Sequence, residues 1–295
     1  MIIGSRGSML ALWQARHVQT LLRQAGLDSR IEIIHTTGDK ITDVPLAQLG
    51  AQTSTKGLFT KELEEALLDG RIDLAVHSLK DMPTELPAGL ELVAIPERED
   101  PFDAVVGLPV EELPHGARVG TSSLRRQAQL RALRPDLEVE SVRGNVDTRL
   151  RKLDEGQYAS ILLACAGLRR LGWSGRISER LSAKRMCPAV GQGALAIEVR
   201  SGDRRAALLN HLATEAAVAA ERACLRSFGG GCQIPLGAYA EWQGERLHLH
   251  AVVCSLDGKR VLRVAETQEE GEAPEQLGER AARLLSQMGA HEVLG

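Results

Sequence analysis

One pattern occurs twice in the 295-residue chain and constrains its architecture more than any other feature. Ala66-Leu-Leu-Asp-Gly70-Arg-Ile-Asp-Leu-Ala75 resembles Arg151-Lys-Leu-Asp-Glu-Gly156-Gln-Tyr-Ala-Ser160: a helix end, an acidic residue, a glycine stop, a short spacer and an apolar strand. The stretch before each copy has the same plan. In the first half, Ile2-Ile3 reads as a strand, Gly4 to Ser8 as a glycine turn and Leu10 to Leu22 as an apolar-periodic helix. Gly26 closes that helix, and Ile31 to Ile34 is the next strand. A polar loop over Thr36–Thr55, a helix over Leu58–Leu68 and a strand over Ile72–Val76 follow. In the second half the order is strand Ala117–Val119, turn Gly120–Ser123, helix Leu124–Leu133, strand Leu137–Val139, helix Val146–Leu153 and strand Ser160–Ala164. The period is too long for a solenoid. It predicts two α/β lobes of common design with a cleft between them, and this alternation of elements favours largely parallel sheets.

The charged, proline-bounded stretch Pro96–Pro101 reads as the joint between the lobes, and Ala189–Glu198 as a second crossing that leads into a strand. From Thr214 the pattern changes. Thr214 is placed to cap a helix that runs to about Phe228. Strands Gly237–Trp242, Arg246–Val253 and Val261–Glu266 then turn at Gln243-Gly244 and Asp257-Gly258, before a helix over Pro274–Met288. The expected division is residues 1–95 with 193–212, residues 96–192, and a small α+β domain over residues 213–295 with a three-stranded antiparallel sheet.

Composition removes several classes of function. A formal net charge of −3 offers no basic field for nucleic acid, and 3% aromatic residues offer little for stacking bases. The five cysteines (Cys165, Cys187, Cys224, Cys232, Cys254) are odd in number and contain no C-x-x-C pair, so neither a disulfide framework nor a zinc ribbon is indicated. The N-terminus has no basic region before an apolar core, and no run approaches membrane-spanning length. The expectation is a soluble protein of a reducing compartment, with no nucleic acid, membrane or metal partner.

Arginine placement carries the strongest chemical signal. Arg125 and Arg126 lie in the first turn of a helix, where cations are disfavoured, so they need a compensating anion. Helix starts and arginine forks both suit carboxylates or phosphates. Arg143 follows a strand, Arg149 comes a helical turn or so later, and Arg169 and Arg170 follow the last strand of the second lobe. Arg6 holds the matching turn of the first lobe, beside Ser8. Strand ends and helix starts repeated in both lobes favour an anion-lined cleft over a solvated basic face.

Lys80-Asp81 sits in a turn after a buried strand, where a carboxylate either caps the turn or serves chemistry by moving a proton or stabilising a cation. His77 reads as a satisfied strand-end histidine. His248 and His250 share a strand face without further ligands nearby in sequence. Gly191-Gln-Gly193 lacks the strand–turn–helix setting of a dinucleotide fingerprint. Finally, Ser227-Phe-Gly-Gly-Gly-Cys-Gln-Ile-Pro-Leu-Gly237 sets Cys232 between three glycines and a proline. It is either a helix cap with a turn or a thiol displayed on a shaped loop.

Seven ordered motifs resemble the porphobilinogen deaminase family, also called hydroxymethylbilane synthases. They are Arg6-Gly-Ser-Met-Leu-Ala-Leu-Trp-Gln14, Lys56-Gly-Leu-Phe-Thr-Lys-Glu62, His77-Ser-Leu-Lys-Asp-Met-Pro83, Gly120-Thr-Ser-Ser-Leu-Arg-Arg-Gln127, Arg143-Gly-Asn-Val-Asp-Thr-Arg149, Pro188-Ala-Val-Gly-Gln-Gly193 and Gly230-Gly-Cys-Gln-Ile-Pro235. The resemblance implies two lobes like those of class II periplasmic binding proteins plus a third domain. It implies a dipyrromethane cofactor, built from substrate and held by Cys232 through a thioether. Four porphobilinogen units are then added stepwise with loss of ammonia, and water releases linear hydroxymethylbilane. It further implies Asp81 as the catalytic carboxylate. Arg6, Arg125, Arg126, Arg143, Arg149 and Arg170 would hold acetate and propionate groups, with Ser8, Lys56, Ser78, Lys80 and Ser123 assisting. The sequence departs from the family in one place: Gly50–Thr55 has no basic residue where the family often carries one. The rival reading is a non-catalytic two-lobed carboxylate-binding module.

Overall fold

A computed structural model describes residues 1–36, 60–230 and 234–294. The described residues form two compact units, Met1–Arg98 with Ala194–Glu215 and Glu99–Gly193 with Ala216–Gly295.

The first unit opens with β1 (Ile2–Ser5), α1 (Met9–Gln24) and β2 (Arg30–Ile33), and continues with α2 (Lys61–Leu68), β3 (Leu74–Ser78) and β4 (Leu90–Ala94). The strand β10 (Leu195–Arg200) completes it. Its sheet has the order β2-β1-β3-β10-β4. Strands β1, β2 and β3 are parallel, whereas β10 runs antiparallel to both β3 and β4. One face of this sheet buries Ile3, Leu74, Val76, Ile197 and Val199 against Ala15, Val18 and Leu22 of α1. In a second cluster, Ala75 and Ile72 pack with Leu63, Ala66 and Leu67 of α2. The apolar residues of α1 therefore recur at helical spacing because one stripe must meet the sheet.

The second unit repeats the plan. Its strands are β5 (Asp103–Gly107), β6 (Arg118–Gly120), β7 (Glu138–Glu140), β8 (Ser160–Ala164) and β9 (Glu179–Leu181), in the order β7-β6-β8-β5-β9. Its helices are α3 (Leu124–Leu133), α4 (Val146–Asp154) and α5 (Cys165–Arg170). Again four strands (β7, β6, β8 and β9) run in one sense, as β2, β1, β3 and β4 do in the first sheet, and the fourth in order, β5, is antiparallel to both neighbours. Each sheet is therefore largely parallel, as expected, with one antiparallel strand. The antiparallel strand in each sheet is the one that follows a passage from the other unit, so it enters in the opposite sense. Strands β4, β5 and β9 lack the helix-linked spacing that marks the others and are not anticipated from the sequence.

The rest of the second unit comprises α6 (Leu212–Arg226, which begins in the first unit), β11 (Leu236–Gln243), β12 (Arg246–Cys254), β13 (Val261–Thr267) and α7 (Pro274–Gln287). The three strands form one antiparallel sheet. Their alternate residues Ala238, Ala240, Leu247, Leu249 and Ala251 pack on Ala220 and Cys224 of α6 and on Leu277, Ala281 and Leu285 of α7. Thr214 is not the cap of α6, because the helix begins two residues earlier; its Oγ1 instead accepts the Arg98 N–H at 3.2 Å.

Gly193, the last residue before the chain returns to the first unit, has φ +87°, and a Cβ there would come within 2.3 Å of the Glu99 carbonyl oxygen. Gly193→Ala is expected to lose on the order of 1–3 kcal/mol from the backbone conformation alone, with the crowding added. A urea midpoint equal to that of the parent chain would contradict this.

Candidate active site

The residues singled out in the first unit gather at the carboxyl ends of β1 and β3. Arg6 and Ser8 follow β1 directly, and Ser8 is the N-cap of α1, its side chain accepting the Ala11 N–H at 3.3 Å. Ser78 ends β3 and accepts a hydrogen bond from Gln14 Nε2 at 2.8 Å. The next residues, Leu79–Asp81, form one 3₁₀ turn. Leu79 is buried and donates its N–H to the Ala194 carbonyl at 3.0 Å, while Lys80 is half-buried and Asp81 is exposed. The chain thus fixes the turn by its apolar residue and leaves the carboxylate of Asp81 in solvent. His77 is satisfied as expected, by Glu198 Oε2 at 2.9 Å.

In the second unit the same end of the sheet carries the cations. Ser123 caps α3, accepting from the Arg126 N–H. Arg125 and Arg126 follow in the first turn and are almost fully buried, at 4% and 6% exposure. The anion that their position demands is Asp103, at the start of β5 and wholly buried. Arg125 engages it with both terminal nitrogens, at 2.7 and 3.2 Å. Arg126 donates through Nε at 2.9 Å and Nη2 at 2.7 Å, and Gln192 Nε2 adds a fifth donor at 2.9 Å. The same arginines also reach the carbonyls of Cys187 and Leu162. Burial alone would push the Asp103 carboxyl up, but the charges and hydrogen bonds of Arg125 and Arg126 outweigh it and hold the group far below the usual carboxylate range.

This pairing has a measurable consequence. Asp103→Asn leaves two guanidinium groups buried without a counter-charge, a loss of about 3–5 kcal/mol at neutral pH. Because the folded-state pKa is depressed, the wild-type contribution is complete above the unfolded value of about 4 and fades as pH falls below it. The stability gap between parent and variant in urea is therefore expected to narrow on acidification; a gap that stays constant would rule the pairing out as its source.

Arg170 is buried at the end of α5 and donates to the Gly193 carbonyl at 2.6 Å; burial lowers its pKa to about 10, against the opposing effect of Glu99. Arg149 donates from Nε to the Gly144 carbonyl at 2.7 Å. Arg143 is half-buried, and its Nη1 is fully enclosed without a hydrogen-bond partner among the described residues, as is Nε of Arg125. The structure therefore brings Ser123, Arg125 and Arg126 into one network with Asp103 and Gln192. It shows Arg170 serving the chain passage at Gly193.

Asp103, Gln192 and Glu198 were not anticipated. The need for an anion beside Arg125 and Arg126 was legible, and an aspartate opening the apolar run Ala104-Val-Val106 was the available signal for Asp103.

Four cysteines are described, and all are buried. Burial pushes the thiols of Cys165 and Cys224 up to about 12 and that of Cys254 up to about 11, with Cys187 raised further still. None is a ready nucleophile at neutral pH. Cys232 and Lys56 lie outside the described residues, as does the segment that lacks the expected basic residue. Before Cys232, Gly229 and Gly230 adopt φ values of +86° and +68°, and on either side of it Phe228 and Ile234 pack on the core of the third sheet. Among the described residues no group of three or more His, Cys, Asp or Glu could hold a metal ion, and no helix is long and apolar enough to cross a membrane.

Fold and side chains together define an α/β protein that collects cations and one exposed carboxylate at strand ends, the equipment of an enzyme for anionic small molecules. A family model described as "Porphobilinogen deaminase, dipyromethane cofactor binding domain" matches residues 1–208, and one described as "Porphobilinogen deaminase, C-terminal domain" matches residues 216–287. A porphobilinogen deaminase from Methylobacillus flagellatus is 50% identical, covering 100% of this chain and 96% of its own. One from Gloeobacter violaceus is 53% identical over 99% of this chain and 92% of its own. Among solved structures, a periplasmic substrate-binding protein of an ABC transporter from Coxiella burnetii covers 71% of this chain and 89% of its own, at 13% identity and a TM-score of 0.44. The chain belongs to the porphobilinogen deaminase family, transferases of tetrapyrrole biosynthesis.

Proposed function

We propose that the chain polymerises four porphobilinogen units stepwise onto a dipyrromethane joined to Cys232 by a thioether, releasing ammonia at each addition and linear hydroxymethylbilane by hydrolysis. The observation that carries the cofactor assignment is the charge balance at Arg125 and Arg126. Two buried guanidinium groups face one carboxylate, and Arg125 Nε is buried without a partner. A ligand bearing several carboxylates fits this surplus of donors and charge.

When bound, the dipyrromethane supplies the electron-rich pyrrole carbon to which the first unit is joined. The protein's residues do the rest. Arg125, Arg126, Arg143 and Arg149, with Ser123, hold acetate and propionate groups from the second unit. Arg6 and Ser8 do so from the first, assisted by Ser78, Lys80 and Lys56. Arg170 shares that role with its tie to Gly193. Asp81 accepts hydrogen bonds from pyrrole N–H groups and stabilises the positive charge that develops as ammonia leaves. Its exposure suits a group that must meet a succession of substrates.

On this reading residues 1–95 with 193–212 carry the catalytic aspartate, residues 96–192 carry most of the arginines, and residues 213–295 carry the cofactor. The enzyme acts as a cytoplasmic monomer without nucleic-acid or membrane partners. Intact-protein mass spectrometry tests the assignment: the purified chain is expected to exceed its sequence mass by two pyrrole units. A bare sequence mass combined with carboxylate binding would favour a binding module instead.

A further inference from the structure

Beneath the Asp81 turn lies a polar pair that the reaction itself does not use. Glu198 on β10 is wholly buried, and its Oε2 meets His77 Nε2 of β3 at 2.9 Å. Its Oε1 is enclosed without a hydrogen-bond partner among the described residues. The β10–β4 ladder slips in register between Ile197 and Glu198, an irregularity of the kind that re-aims a side chain. Above them, within the first unit, α2 contributes the buried Glu64, whose carboxyl is pushed up chiefly by burial. Replacing a buried polar pair by apolar residues of similar volume is often neutral or stabilising. An incompletely satisfied buried polar pair therefore needs a reason other than cohesion.

Its place in the sheet supplies one. Ala196 stands opposite His77 and Leu195 opposite Ser78. The next residue, Leu79, donates to Ala194, and Asp81 ends the 3₁₀ turn that follows. The side-chain bond between His77 and Glu198 thus fixes β3 laterally on β10 at the last rungs before the turn. We propose that His77 and Glu198 are positioning residues for the Asp81 carboxylate, fixing the end of β3 so that the turn presents it in one orientation. This rests on the reading of Asp81 as the catalytic carboxylate.

The test is the double variant His77→Leu/Glu198→Leu, compared with His77→Gln and Asp81→Asn. The double variant is expected to melt at or above the parent temperature. Its kcat is expected to fall on the order of 10²-fold, with KM within about threefold, because misplacement costs the chemical step rather than binding. His77→Gln keeps a donor for Glu198 and is expected to recover most of that loss; it also provides the measurement if the double variant fails to fold. A folded double variant with parental kcat overturns the positioning role, as does a His77→Gln variant as impaired as one lacking the donor. If Asp81→Asn retains turnover, the reading of Asp81 fails and the positioning role with it. If Asp81→Asn is inactive while the double variant is fully active, only the positioning role fails.

Discussion

Cys232→Ala is expected to leave the purified chain at its bare sequence mass and without turnover. The four described cysteines are buried with raised thiol pKa values, so none of them stands ready to replace Cys232 as the attachment point. On the proposed reading the thioether forms only once, with a reactive electrophile, so Cys232 would need access more than a depressed pKa. Its flanks suit that task. Left-handed Gly229 and Gly230 turn the chain off the end of α6, and Phe228 and Ile234 anchor it to the core on either side. On the proposed reading, loss of the tether also takes a carboxylate ligand away from Arg125 and Arg126, which Asp103 alone then balances. The variant is therefore expected to melt below the loaded parent, since a ligand bound only by the folded state stabilises it. Detection of the extra mass in Cys232→Ala would show that another residue carries the cofactor.

Asp81→Asn is expected to fold like the parent, acquire the same extra mass, and lose on the order of 10²–10⁴ in kcat. Fold retention follows from exposure. Leu79, not Asp81, packs the turn, and the turn is held by the Leu79–Ala194 bond. The loss of rate follows from charge: an amide cannot offset a cation developing beside it, although it still fills the space. Single-turnover measurements with the loaded enzyme separate this from a defect in product release. Parental kcat in a folded Asp81→Asn variant would remove Asp81 from the chemistry.

The sequence was most informative where periodicity and punctuation coincided. Helix Leu124–Leu133 and strand Ser160–Ala164 lie at the bounds read from their apolar spacing, because glycine turns and a serine cap delimit them. The sense of β5 and β10 was not legible, since direction within a sheet depends on where the chain comes from, and no local residue encodes that. The site shows the same division. The strain of two arginines in a helix start pointed to a missing anion, and that anion is Asp103, 22 residues before Arg125. Pairing across such a distance leaves no spacing signal. Glu198 and His77, 121 residues apart, met only because β10 inserts beside β3. What the sequence showed of Asp81 was its setting, a polar pair after a buried strand; its role came from the family resemblance.

That insertion also bears on how the protein is made. Strand β10 fills the space between β3 and β4, yet it is synthesised after the whole of residues 99–193. Until it emerges from the ribosome, the first sheet has two open edges where a central strand belongs. Those edges carry Leu74, Val76 and Val93, apolar residues that need cover. The nascent N-terminal segment thus waits, unfinished and prone to mispairing, through synthesis of the intervening strands. Folding is slow to commit for a chain whose first-made sheet closes last. A fragment ending at Arg98 would keep that gap permanently, so the two units are better described as co-folding partners than as separable modules.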